Sequence, residues 1–206
     1  MRKPFTHMIG IDEVGRGPLA GPVTVAAVVL SATWRMRHVK WGNRRVPLRD
    51  SKRLSEKQRE AWFRWIKSRP HIVYAVSHVA PQVIDRINIS QAANLAATRA
   101  FEKLCLMLEV RNVRNVRSVL LDGGLFLRTS NLKHFQPRTI VKGDERYRAI
   151  KLASIVAKVW RARYMVKKHK KFPQYGFDRH KGYGTRLHFR ALRKHGPSPL
   201  HRRTFL

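Results

Sequence analysis

Residues 10–18 read Gly10-Ile11-Asp12-Glu13-Val14-Gly15-Arg16-Gly17-Pro18, GIDEVGRGP. An apolar run ends here in two adjacent acids, and an arginine between two glycines follows at once. The pair is unusual in its setting, because the chain of 206 residues holds 12 Asp and Glu against 44 Lys and Arg. A buried strand that closes on carboxylates, just before a turn that glycine permits, predicts a strand end carrying chemistry.

The pattern recurs. Val119-Leu120-Leu121 leads into Asp122-Gly123-Gly124, and Ile140-Val141 leads through Lys142-Gly143 to Asp144. Strand ends on one edge of a sheet lie close together, so Asp12, Glu13, Asp122 and Asp144 are expected to converge. Taken singly, an Asp-Gly reads equally as a turn, and Gly-Asp-Glu before a helix as a cap. Four acids in one register in an acid-poor chain read as a site, with Asp50 and Asp178 as secondary candidates. Converging carboxylates repel unless protons or cations neutralise them, and an all-oxygen set suits a hard ion such as Mg2+ or Mn2+. Two such ions beside a phosphate backbone would serve phosphodiester hydrolysis.

Other stretches complete an α/β pattern. Pro22 to Leu30 and His71 to Val79 read as strands, Ser55 and Gln58 as a capping box, and Trp62, Trp65 and Ile66 as the core face of the helix behind it. A second helix is expected from about Ser90, with Ala93, Ala97, Phe101, Leu104 and Leu108 as its apolar stripe. A long helix should follow Asp144. The acid-free excursion Trp34 to Arg49 reads as a solvated loop or insert.

Charge narrows the function. A formal net charge of +32 self-repels in a compact chain and points to a polyanion, nucleic acid above all. No segment offers the ~18 uninterrupted apolar residues of a spanning helix, and Met1-Arg2-Lys3-Pro4 opens no signal-like segment. A soluble cytoplasmic protein with no membrane partner is expected. The single cysteine, Cys105, excludes an internal disulfide and a cysteine-built zinc site.

The motifs GIDEVGRGPLAGPV, DSKRLSEKQRE, LLDGG, VKGD, ASIVAKVWR and YGFDRHKGYGTRLHFRALRKHGPSPLHRR, in this order from about Ile9 to Arg203, resemble type 2 ribonuclease H, ribonuclease HII. The resemblance implies an RNase H-like fold, a central mixed β-sheet flanked by helices with a C-terminal helical extension. It implies one domain over residues 1–206, with residues 165–206 as the basic extension, acting as a monomer. The implied activity is cleavage of the RNA strand of RNA/DNA hybrids and nicking 5′ of ribonucleotides in duplex DNA, as in ribonucleotide excision repair, leaving 3′-hydroxyl and 5′-phosphate ends. The family's metal-binding acids match Asp12, Glu13, Asp122 and Asp144. Gly15-Arg16-Gly17 matches the loop that senses the ribose 2′-hydroxyl, Tyr183 the tyrosine that stacks on the junction sugar, and Lys52 a phosphate or site contact. Ala162 departs from the family's usual acid, and Lys151 and Leu152 replace small residues. The rival readings are a non-catalytic basic nucleic-acid binder of the same fold and another metal-dependent nuclease such as a resolvase or integrase core.

Overall fold

The structure, a computed structural model, describes residues 7–110, 116–130 and 135–206. Residues 1–6, on which the reading of the N-terminus rests, lie outside the described residues. At the centre is β1 (His7–Val14), antiparallel to β2 (Val23–Ser31) on one side and parallel to β6 (Val116–Asp122) on the other. Two edge strands, β5 (Val73–Val79) and β7 (Gln136–Ile140), complete a mixed sheet of order β5-β2-β1-β6-β7. The order explains the residues. β2 is buried along both faces, hence its unbroken apolar run, whereas β7 is exposed and carries Pro137, tolerated because an edge strand has free backbone positions.

Strand alternation divides the core. Ile9 and Ile11 of β1 face the helix α2 (Pro81–Val110), packing with Ala93, Ala97, Phe101 and Leu104. Met8 and Gly10 face the other layer, built from α1 (Glu56–Lys67) and α4 (Arg148–His169) with the short α3 (Gly143–Arg146) ahead of it. Asn88 breaks α2 with φ 62 and ψ 167, and its side chain accepts hydrogen bonds from the Ser90 and Gln91 amides. The helix expected from Ser90 is therefore the second part of α2, capped by Asn88. The Ser55 and Gln58 capping box forms as read.

The excursion from Trp34 to Arg49 is an insert whose lysines and arginines are exposed, as expected, but it is ordered rather than a loop. It folds as a hairpin, β3 (His38–Trp41) and β4 (Arg44–Pro47), turning at Gly42-Asn43. Val39 and Val46 are buried, and Trp34, Met36, Trp41 and Leu48 pack against α1 and its neighbours. Apolar residues spaced between the cations anchor the insert, which charge alone concealed. Beyond α4, α5 (Phe177–His180) and α6 (Arg186–His195) build a small core of Met165, Tyr175, Phe177 and Leu200 around Ala20. No helix among the described residues is long and apolar enough to cross a membrane.

α4 sits on β1 through one close backbone approach. A Cβ on Gly10 would stand 2.2 Å from the Ala149 carbonyl carbon and 2.4 Å from the Ile150 nitrogen, both backbone atoms that cannot rotate away. Gly10→Ala is expected to lower stability by about 3 kcal/mol through overpacking. The readout is a lower urea midpoint at unchanged slope; a midpoint equal to the parent's would refute the contact.

Candidate active site

Parallel pairing brings the first two acids together. The β1–β6 register ends at Ile11 beside Leu121, so Asp12 and Asp122 are the next residues on neighbouring strands and leave the sheet at the same edge. The third arrives by a turn. After β7, Lys142 takes the left-handed conformation (φ 54) and α3 begins, and the Gly143 and Asp144 amides both donate to Asp122 Oδ1, at 2.6 and 3.2 Å. Asp122 thus caps the short helix that carries Asp144. One oxygen from each of Asp12, Asp122 and Asp144 lies within 4.8 Å of the others.

Glu13 stands beside this trio. Its Oε1 is 3.5 Å from the Arg16 guanidinium, and its Oε2 is buried with no hydrogen-bond partner. Burial, reinforced by Glu13 and Asp122, holds the Asp12 carboxyl well above the usual carboxylate range. Burial also raises Glu13, and Asp122 is raised first by burial and then by Asp144. Two lysines oppose this charge. Lys52 Nζ lies 3.2 Å from Asp144 Oδ2, and that hydrogen bond raises its pKa. Lys158 donates to Ser51 and Ser154, whose hydroxyls are 2.7 Å apart, and burial lowers its pKa.

A cleft of about 260 Å³ is lined by all four predicted acids together with Gly15, Arg16, Gly17, Lys52 and Tyr183. The secondary candidates do not line it, although Asp50 acts on the charges of Lys52 and Lys158. Asp50 accepts from the Lys52 amide as the cap of a short 3-10 turn, and Asp178 lies in the first turn of α5, away from the cleft.

Two buried arginines lock the glycine loop. Arg202 donates to the carbonyls of Gly15 (2.5 Å), Arg16 (2.8 Å) and Gly21 (3.0 Å). Arg161 donates to those of Pro22 (3.0 Å), Ala20 (3.0 Å) and Lys181 (2.9 Å), which ties the loop to the segment bearing Tyr183. Burial pushes them down to about 10 for Arg161 and about 9 for Arg202, so both stay charged at neutral pH. Gly15 has φ +94, and a Cβ there would stand 2.3 Å from Arg161 Nε, so glycine is required by the arginine beneath it. Gly17 meets no such neighbour.

Tyr183, half-exposed, is held through its backbone. His188 Nδ1 donates to the Tyr183 carbonyl at 2.9 Å, which leaves His188 Nε2 to accept from His201 Nε2, also at 2.9 Å. His201 Nδ1 in turn accepts from the Ser198 amide at 2.8 Å. Each ring is neutral in this chain of bonds, and burial lowers both pKa values, His201 to about 4. Ser51, Ser154, Lys158, Arg161, Arg202 and these histidines had no role in the sequence reading. The motifs ASIVAKVWR and HRR contain several of them, but a buried arginine bonded to carbonyls looks in sequence like any other cation of a basic chain.

A family model described as Ribonuclease HII matches residues 9–206 of the chain. Ribonuclease HII of Endomicrobium trichonymphae is 43% identical over 203 residues, covering 98% of this chain and 87% of that protein. The crystal structure of ribonuclease H2 from Pyrococcus horikoshii OT3 matches with a TM-score of 0.69 at 23% identity, over 96% of this chain and 93% of that one. Bst-RNase HIII in complex with Mn2+ matches with a TM-score of 0.64 at 18% identity, over 99% and 68% of the two chains. The expected α/β fold, RNase H-like with a mixed sheet flanked by helices, is the observed one.

The carboxylates carry a stability cost with a definite sign. Because folding raises the Asp12 pKa, the native state holds that proton more tightly than the unfolded chain. The penalty is therefore full above the raised pKa and vanishes as pH falls below the unfolded value. In metal-free protein at pH 8, Asp12→Asn is expected to raise Tm by at least about 2 °C. Thermal melts of the two proteins should approach each other as pH falls toward the ordinary carboxylate range; a variant less stable than the parent at pH 8 would contradict the electrostatic account.

Proposed function

Because the chain belongs to the ribonuclease HII family, we propose that the cleft at the C-terminal ends of β1 and β6 is where it cuts, with Asp12, Glu13, Asp122 and Asp144 as its metal ligands. The enzyme is a metal-dependent endonuclease acting on RNA/DNA hybrids. The observation that carries the assignment is the gathering of every matched residue into one cleft from positions spread between 12 and 183.

The residues fit a divalent cation. Three carboxylate oxygens within 4.8 Å of one another, with Glu13 Oε2 buried and unpartnered beside them, form an all-oxygen donor set short of positive charge. The ion is Mg2+ or Mn2+, and two ions serve when substrate is bound. When bound, the metal favours attack by water on the phosphodiester and neutralises the charge that builds on the phosphate. The chain itself does the rest. Asp122 is fixed through Oδ1 by two backbone amides, and Lys158 with the two serines holds the floor of the cleft beside Asp12.

Discrimination requires groups that read the sugar, since metal ligands treat any phosphodiester alike. Gly15, Arg16 and Gly17 meet the ribose 2′-hydroxyl in this reading, supported by a loop whose carbonyls are pinned by Arg202. Tyr183 stacks on the neighbouring sugar, and Lys52 contacts phosphate as well as Asp144. Cleavage lies 5′ of an embedded ribonucleotide and leaves 3′-hydroxyl and 5′-phosphate ends. Residues 1–206 act as one domain and as a monomer, a reading supported by a cleft completed within one chain. The basic segment from about 165 to 206 serves as the gripping extension; its core includes Ala20 of the connection between β1 and β2.

A DNA duplex with one ribonucleotide should be nicked in Mg2+ or Mn2+ while an all-DNA duplex is not. Asp122→Asn should lose more than about 100-fold in cleavage with binding retained or tightened, because repulsion of phosphate is removed along with the ligand. Parental turnover in that variant would sink the metal assignment. Tyr183→Ala should nick the single-ribonucleotide duplex more slowly, with Mn2+ binding by calorimetry unchanged. Parental nicking by Tyr183→Ala would return that residue to ordinary surface packing.

A further inference from the structure

A second concavity, of about 600 Å³, lies between the β3–β4 hairpin and the start of α4, larger than the catalytic cleft of about 260 Å³. Arg37 and Trp34 come from the hairpin side, and Arg146, Tyr147, Arg148 and Lys151 from the other. No acid lines it. Among the described residues none of its four cations pairs with a carboxylate; Arg148 instead donates to the Trp34 carbonyl at 3.2 Å, joining the walls. The hairpin segment adds Arg35, Lys40, Arg44, Arg45 and Arg49 with no acid between Trp34 and Arg49. Like charge collected around a concave surface without counter-charge raises the energy of the folded chain, and a polyanion relieves it.

In sequence both walls lead to residues of the catalytic cleft, while the floor between them, Met8, Leu30 and Ser31, lies at the opposite end of β1 and β2 from Asp12 and Glu13. The hairpin leaves through Arg49, Asp50 and Ser51 to Lys52, and the opposite wall begins two residues after Asp144. These two chains meet at Lys52 Nζ and Asp144 Oδ2, 3.2 Å apart. From Lys52 back to Leu48, or from Asp144 on to Arg148, four residues reach at most about 14 Å. One DNA strand advances about 3.4 Å per phosphate along the helix axis, so the groove lies within at most about four nucleotides of the cleft.

We propose that this groove binds the phosphate backbone of the duplex beyond the point of cleavage, so that the hairpin extends the footprint of the enzyme on its substrate. The inference rests on the function proposed above. Guanidinium forks take phosphate oxygens bidentately, and backbone contacts of this kind add affinity without sequence preference.

The test uses duplexes with one ribonucleotide and flanks lengthened base pair by base pair on each side. Binding is followed by anisotropy in metal-free buffer, with Arg37→Ala/Lys151→Ala beside the parent. Parental affinity should rise as one flank grows through about the first four to six base pairs. The double variant should lose that rise, bind the shortest duplex like the parent, and show a salt slope shallower by about 1.8, the loss of two phosphate contacts. Charge-keeping Arg37→Lys/Lys151→Arg should restore both, which separates charge from packing. Identical flank dependence and slope in parent and Ala variant would overturn the groove. So would displacement of tripolyphosphate from the groove with no flank effect, since that marks a site for small anions. A parent that fails to nick the ribonucleotide duplex at all removes the function reading and this inference together, whereas a nicking parent with an unaltered Ala variant removes this inference alone.

Discussion

The seating of α4 directly on β1, backbone against Gly10, orders the rest of the molecule. From that contact the helix runs along the strand toward its carboxyl end, so Ser154 and Lys158 arrive beside Asp12, and Arg161 arrives beneath Gly15. Upstream of the contact, the same helix begins against the β3–β4 hairpin through Arg148 and Trp34. One missing side chain therefore sets the register of the floor of the acidic cleft, the loop beside it and the concavity beyond. Small residues at 149, 153 and 157 keep the helix close over the sheet.

The site works against the stability of its own fold. Three carboxylates are drawn together, two of them almost wholly buried, and neighbouring acids raise the pKa values of Asp12 and Asp122 further. The chain offsets this locally with Lys52 and Lys158, with backbone amides on Asp122, and with Arg16 near Glu13. None of these neutralises the trio completely, which is the electrostatic condition under which a hard divalent ion binds. Away from the cleft the balance reverses, and among the described residues cations without a carboxylate partner dominate. The contrast suits an enzyme that attracts a polyanion broadly and concentrates metal at one point.

Polar groups add to apolar packing in holding the cleft. Arg161 and Arg202 are buried guanidiniums that satisfy themselves on carbonyls, joining residues 15–22 to the C-terminal segment. The His188–His201 bond fixes each ring in one tautomer and carries the order on to the Tyr183 backbone. Buried polar networks that are fully satisfied hold one arrangement strongly, because any other leaves a donor or acceptor without a partner in a medium of low dielectric.

Much of this protein was legible before any coordinates. Apolar runs ending in Asp12, Asp122 and Asp144, the capping box at Ser55 and the stripe on α2 are local patterns, and local patterns follow from strand and helix periodicity. The motif order then placed Gly15, Arg16, Gly17, Lys52 and Tyr183 near the acids. What the sequence left open were matters of distance between segments. It could not separate the tight trio from Glu13, which sits one residue along the strand and turns toward Arg16. It read the Trp34–Arg49 stretch by its charge, although Val39 and Val46 bury themselves only once α1 and α4 are in place. It left Arg161 and Arg202 among 44 basic residues, because what distinguishes them is the set of carbonyls they meet. Those carbonyls lie as far as 187 positions away in the chain, and only the folded packing of α4 and the C-terminal segment against the β1–β2 loop brings donor and acceptor together.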